Sequence, residues 1–212
     1  MVSVLCLATL TIQTIRIRTE LPKQTTWQVL NIKGHIIDPA TGQVDDTEGF
    51  GAFDSLIQLF KPECPKNFDN GGGAFDDNTH YLKDKYNIQN VVYDPFMRPQ
   101  PHNEAVLKQV QESSFDCCTS ISVLNVIDSA AARAIHINLC YNALKEKGTA
   151  FFKVWPGDKS GIPLKSDDRY QSNQEAATYL NEIQKVFGAG NVDLINEKTI
   201  KAIKMTIKSS PC

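Results

Sequence analysis

The sequence lacks any run of the roughly 18 apolar residues that a bilayer-crossing helix requires. It also lacks an excess of either charge: 22 Lys and Arg stand against 24 Asp and Glu, a net −2. A near-neutral chain has no global field to draw it onto nucleic acid or anionic lipid, although a local patch stays open. None of the six cysteines forms a C-x-x-C pair, which argues against zinc-ribbon and thioredoxin-type chemistry. No repeat or low-complexity tract is present. The opening Met1–Leu10 is mildly apolar but has no basic start and no clean cleavage site, so it does not read as a secretory signal. Free thiols in a reducing, cytoplasmic setting are the expectation, with Cys117 and Cys118 as small core hydrophobes.

What is present suits one globular domain with an appended arm: 212 residues, 42% hydrophobic and 22% charged. Residues 1–60 read as the arm, with a hairpin or an irregular course around the turn signal Asp38-Pro39-Ala40-Thr41-Gly42 and a short helix near Asp54–Phe60. From residue 61 onward strands and helices alternate. Strands are expected at Lys66–Asp69, Asn90–Asp94, within Phe115–Val126 and at Thr149–Trp155. Helices are expected at Asn78–Tyr86, Asn103–Glu112 and from Asp128 or Ser129 to Lys147, where Gly148 is a natural stop. Pro156–Ser172 reads as a polar loop and Ala176–Phe187 as an amphipathic helix. Asn191–Ile195 and Thr199–Lys208 read as a closing antiparallel hairpin. The alternation predicts a doubly wound, mostly parallel α/β sheet.

Two features point to a site. Asp69-Asn70-Gly71-Gly72-Gly73 ends a strand ahead of a helix, where glycines let the backbone turn sharply and approach a ligand. Asp94 ends the next strand about 20 residues further on, the spacing of an acid that accepts hydrogen bonds from ribose hydroxyls. Both fit a dinucleotide or a nucleoside cofactor. The G-x-G-x-x-G fingerprint is incomplete, because Asp76 occupies the third glycine's place. Asp76 and Asp77 put negative charge where phosphates would lie and would favour a cationic ligand. The D-x-[DN]-x-[DN]-G order of a calcium loop is absent, and no metal is expected.

Residues Phe68–Phe75 and Val91-Val92-Tyr93-Asp94 resemble the first and second motifs of the class I (Rossmann-like) S-adenosylmethionine-dependent methyltransferases. Phe115–Ile127 resembles that family's fourth strand with its catalytic-side loop, and Gly148–Val154 its fifth strand. The likeness spans about residues 66–208. The family's third strand has no counterpart, and no D/N-P-P-Y motif follows the fourth, which argues against the amino-methylating DNA enzymes.

The resemblance implies methyl transfer from S-adenosylmethionine, with S-adenosylhomocysteine as product, to an acceptor the sequence does not identify. It implies a cofactor site of Asp69, Asn70, Gly71, Gly72, Gly73, Asn78, Asp94, Pro95, Ser122, Leu124 and Asn125. Asn125 is also the candidate for orienting the acceptor, and His102, after the second strand, a candidate base. Trp155-Pro156-Gly157-Asp158 is placed to cover substrate. His80 and His136 read as helix-face fillers. Two other readings stand beside this one: a methyltransferase-like binding module without catalysis, and a nicotinamide-dependent oxidoreductase.

Overall fold

The computed structural model describes residues 36–37, 44–45, 56–57, 64–166 and 169–205. Ile36–Ile37 (β1) pairs antiparallel with Val44–Asp45 (β2), the hairpin of the two courses expected around Asp38–Gly42. The rest of the predicted arm, apart from Leu56 and Ile57, and the chain beyond Met205 lie outside the described residues.

The main sheet has six strands: Lys66–Asn70 (β3), Gln89–Tyr93 (β4), Phe115–Ile121 (β5), Leu144–Lys153 (β6), Val192–Asn196 (β9) and Thr199–Ile203 (β10). Their order is β4-β3-β5-β6-β10-β9. The first four run parallel; β10 lies antiparallel between β6 and β9. Among the described residues no strand lies outside β4, as the missing third-strand segment implied. A two-stranded hairpin, Leu164–Ser166 (β7) with Arg169–Gln171 (β8), interrupts what reads in sequence as a polar loop.

Alternation along β3 and β5 sorts the core into two faces. Phe68 and Cys118 point to the larger cluster with Val106 and Val110, Ile137 and Cys140, and Ile183 and Phe187. Those residues belong to helices Gln100–Gln111 (α2), Ala130–Ala143 (α3) and Leu180–Phe187 (α4). Cys117 points the other way, to Leu82 of helix Asp77–Tyr86 (α1), Ile88, Phe151, Leu56 and Ile57. So helices cover both faces, unequally. Leu56 and Ile57 are buried in this second cluster although they fall inside the predicted arm. Deleting the first 45 residues should leave the domain folded. Deleting the first 60 should lower stability by about 2–5 kcal/mol for each large side chain lost, read by thermal melting. Equal melting of the two truncations would remove Leu56 and Ile57 from the folding unit.

Three differences from the sequence-based expectations have physical causes. Helix α3 stops at Ala143, not Lys147. Leu144 is fully buried and pairs with Phe115, so sheet pairing overrides its helical propensity; Lys147 then turns the chain with a φ of 65°. Helix α2 begins at Gln100, because Pro101 fits a first turn, where its missing N–H is no loss. Strand β10 ends at Ile203, and Met205, expected to alternate within it, is exposed. Cys64 and Cys117 are joined as a disulfide, their Cα atoms 5.4 Å apart, in place of the free thiols expected; Cys118 and Cys140 are buried thiols.

Candidate active site

The parallel strands bring most of the sequence-predicted residues to one edge of the sheet. Strand register makes the first constellation. Asp69 lies beside Thr119 of β5, and Asn67 beside Asn90 of β4. The Thr119 hydroxyl donates to Asp69 Oδ1 at 3.1 Å, and Asn90 Nδ2 reaches Oδ2 at 3.4 Å. Asn67 Nδ2 donates to Asn90 Oδ1 at 2.7 Å and to the Thr119 hydroxyl at 2.8 Å. Burial pushes the Asp69 carboxyl up to about 6, against the pull of the two hydrogen bonds from Asn90 and Thr119. It therefore remains an anion at neutral pH, at a cost that burial sets.

The glycine loop lies directly on this carboxylate. A Cβ on Gly72 would stand 2.4 Å from Asp69 Oδ2 and 2.9 Å from Val92 Cγ1, so no side chain fits. Gly71 takes a φ of 91°, donates to the Tyr93 carbonyl at 2.7 Å, and would place a Cβ 2.6 Å from Val123 Cγ2. Gly73, with a φ of 77°, has open space where its Cβ would be. Asn70 is turned away: its Nδ2 donates to the His136 carbonyl and to Cys140 Sγ, both at 3.2 Å, and so anchors α3.

Asp94 ties the second motif to the first. Its Oδ2 accepts from Gly73 N at 3.0 Å; its Oδ1 accepts from Phe96 N and Met97 N, each at 3.0 Å. Asn103 holds the same turn, accepting from Asp94 N at 3.2 Å and donating to the Asp94 carbonyl at 2.9 Å. Arg98 closes the structure from outside. Its Nε donates to the Gly73 carbonyl at 2.7 Å, one terminal nitrogen to the Phe75 carbonyl at 2.8 Å, and the other pairs with Asp76 at 2.8 Å. The Asp76 charge is thus balanced, and the acidic-pair objection to a phosphate ligand rests on Asp77 alone. Arg98 and Asn103 were not singled out as site residues from sequence. The signal was an arginine four residues past the strand-end acid.

The remaining predicted residues fall around this unit. Asn78 lies in the first turn of α1, and Pro95 is exposed beside Asp94. Ser122 is exposed with a φ of 58°, a left-handed conformation that sharpens the turn after β5. Leu124 points into the larger core cluster. Asn125 is buried, its Nδ2 donating to Gln171 Oε1 at 2.9 Å. His102 stands in the first turn of α2, not in a loop, and its Nε2 lies 2.7 Å from the Val92 carbonyl. A carbonyl only accepts, so that nitrogen carries the proton and the ring tethers α2 to β4. His136 is half-buried, with Nε2 2.8 Å from the Ser120 hydroxyl, and desolvation of the ring pulls its pKa down to about 4. Among the described residues no cluster of three or more His, Cys, Asp or Glu is arranged to hold a metal, and no helix is long and apolar enough to cross a membrane.

The fold is that of S-adenosylmethionine-dependent methyltransferases. PigF, solved with S-adenosylhomocysteine, superposes with a TM-score of 0.50 at 15% identity, over 74% of this chain and 55% of its own. A methyltransferase from Methanosarcina mazei superposes with a TM-score of 0.50 at 12% identity, over 71% of this chain and 97% of its own. This chain spans little more than half the length of PigF. No protein-family model and no curated protein matches the sequence.

Proposed function

We propose that the protein is an S-adenosylmethionine-dependent methyltransferase. The observation that carries this reading is the joined loop pair. Gly72 lies on the Asp69 carboxylate, Gly73 has open space beside it, and Gly73 N donates to Asp94, at the C-terminal ends of β3 and β4. Backbone without side chains there admits a ligand to close approach. Asp94 Oδ2 carries one donor and keeps acceptor capacity for a ribose hydroxyl. Asp69 supplies buried negative charge near a cationic ligand.

S-adenosylmethionine, when bound, supplies a methyl group on a positively charged sulfur that leaves as a neutral thioether. The protein's own contribution is alignment. The glycine loop and Asp94 hold the nucleoside, and Asn125 orients the acceptor from the loop after β5. His102, tethered by its Nε2 to Val92, keeps only Nδ1 for any proton transfer.

Calorimetric titration with S-adenosylmethionine and S-adenosylhomocysteine, with NAD as control, tests the cofactor. Replacing Asp94 with Asn should weaken S-adenosylhomocysteine binding by about 1–3 kcal/mol, through loss of a charged acceptor. A dissociation constant equal to wild type would take Asp94 out of the site. Binding to NAD alone would favour an oxidoreductase, and binding without turnover a non-catalytic module.

A further inference from the structure

Consecutive glycines are conformationally permissive, so Gly71–Gly73 keep one shape only if something holds them. Their hydrogen bonds run to the segment Tyr93–Arg98. Gly71 N donates to the Tyr93 carbonyl at 2.7 Å, and Gly73 N to the Asp94 carboxylate at 3.0 Å. Arg98 holds the other side. Its Nε donates to the Gly73 carbonyl at 2.7 Å and a terminal nitrogen to the Phe75 carbonyl at 2.8 Å. Gly73 is thus gripped at both its N–H and its carbonyl, by Asp94 and Arg98. The second terminal nitrogen pairs with Asp76 at 2.8 Å, where the loop enters α1. Only a planar guanidinium offers this fork of donors; an ammonium is a point charge.

Arg98 is itself fixed. Its backbone N donates to the Asp94 carbonyl at 3.1 Å. Asn103 Nδ2 donates to the Arg98 carbonyl at 3.1 Å and to the Asp94 carbonyl at 2.9 Å. The Arg98 side chain is only 8% exposed and that of Asp76 55%, so the cation lies inside and its counter-charge outside. The field of Arg98 reaches the floor of the site. Burial dominates the Asp69 carboxyl and raises it, while the Arg98 charge pulls it down. An unbalanced guanidinium here would oppose a cation seated on the glycine loop. Paired with Asp76, the two charges largely cancel at a distance.

Resting on the methyltransferase reading, we infer that Arg98 is a positioning residue for the glycine loop and that Asp76 is a specificity-determining residue, neutralising the guanidinium so that it does not repel a cationic sulfonium nucleoside. Arg98 gives the loop its binding shape before the ligand arrives. Asp76 sets the preference for cationic S-adenosylmethionine over neutral S-adenosylhomocysteine. Neither residue has to touch the ligand. Apparent affinity scales with the fraction of molecules whose loop is in the binding shape, so loosening the clamp weakens both nucleosides alike. A change of charge instead alters their ratio.

The test is calorimetric titration of the full chain with both nucleosides at about 20 mM salt, where screening is weak. Arg98→Met should weaken both by at least about tenfold. The carboxylate of Asp76, then unpaired, should also move the affinity ratio toward S-adenosylmethionine by at least about twofold. Arg98→Lys keeps the charge but not the fork, so both affinities should fall while the ratio stays as in wild type. Asp76→Asn keeps an acceptor for Arg98 and removes the balancing charge. Its ratio should move the opposite way, toward S-adenosylhomocysteine, by at least about twofold. Both ratio shifts should shrink at about 500 mM salt. A merely structural role would not move the ratio in opposite directions in the two variants.

Wild-type affinities in Arg98→Met overturn the inference. So does a ratio that is unchanged in Asp76→Asn, or that moves the same way in both variants. If Arg98→Met does not fold, Arg98→Lys and Asp76→Asn decide alone: wild-type affinities in the first, or a wild-type ratio in the second, overturn it equally. Failure of the methyltransferase reading is distinct, because the wild-type protein would then bind neither sulfur nucleoside.

Discussion

Replacing Asp69 with Asn should stabilise the folded protein at pH 8 by on the order of 1–2 kcal/mol while weakening its hold on S-adenosylmethionine. Burial raises the Asp69 carboxyl from 3.8 to about 6, so folding at alkaline pH carries the cost of a poorly solvated anion. Asparagine removes that charge. Its oxygen can accept from Asn90 and its amide can donate to the Thr119 hydroxyl, at the loss of one well-placed acceptor. Affinity for the cationic S-adenosylmethionine should fall more than affinity for the neutral S-adenosylhomocysteine. Equal losses would mean that the Asp69 charge does not act on the ligand.

The same variant should expose a hidden acid sensitivity. The folded-state pKa of Asp69 is raised, so its contribution is present below about 4 and lost as pH rises through about 6. That of His136 is depressed from 6.5 to about 4, so its contribution is present above 6.5 and lost as pH falls through about 4. The two windows overlap with opposite slopes, and in the wild type they largely cancel. Without Asp69 only the His136 slope remains. Thermal melting of Asp69→Asn should fall between pH 6.5 and 4 by on the order of 3 kcal/mol more than the wild type does. Parallel melting curves would show that these two groups do not set the acid response.

Gly72→Ala should weaken cofactor binding strongly, whereas Gly73→Ala should not. The new methyl on Gly72 would stand 2.4 Å from Asp69 Oδ2, with Val92 Cγ1 at 2.9 Å behind it, so the loop must lift from the carboxylate. Gly73 carries only the cost of its left-handed backbone, about 1 kcal/mol, because nothing lies within 4 Å of an added methyl. Calorimetry with S-adenosylhomocysteine should therefore show at least about a tenfold loss for Gly72→Ala and a small one for Gly73→Ala. Wild-type affinity in Gly72→Ala would mean that the loop does not touch the ligand.

Much of the fold was legible because its signals are local. The alternation of strand-like runs with amphipathic stretches announced β3 to β6 as parallel strands, though not their order, and the glycines and strand-end acids marked Asp69, Gly71–Gly73 and Asp94 as following β3 and β4. What stayed hidden depends on residues far apart in the chain. Nothing local to Leu144 says that it will pair with Phe115 and end α3 early. Gln171 reads as one polar residue in a polar loop; only the folded chain brings it to Asn125. Arg98 reads as a loop cation until its three bonds to the glycine loop are seen, and Cys64 and Cys117 share no spacing that announces a pair.

The place of β10 has a consequence for the order of assembly. It lies between β6 and β9, pairing Thr199 with Lys153 and Ile203 with Thr149. Until that late segment docks, β6 presents a row of unsatisfied backbone groups alongside Phe151 and Phe152. An open edge of this kind is a template for other chains. The four parallel strands can therefore gather early, but the nascent sheet stays sticky until α4 and the closing hairpin arrive. Closing such a distant pairing is intrinsically slow. Crowded refolding should lose material to aggregation through β6 before any other strand, and dilution should recover it.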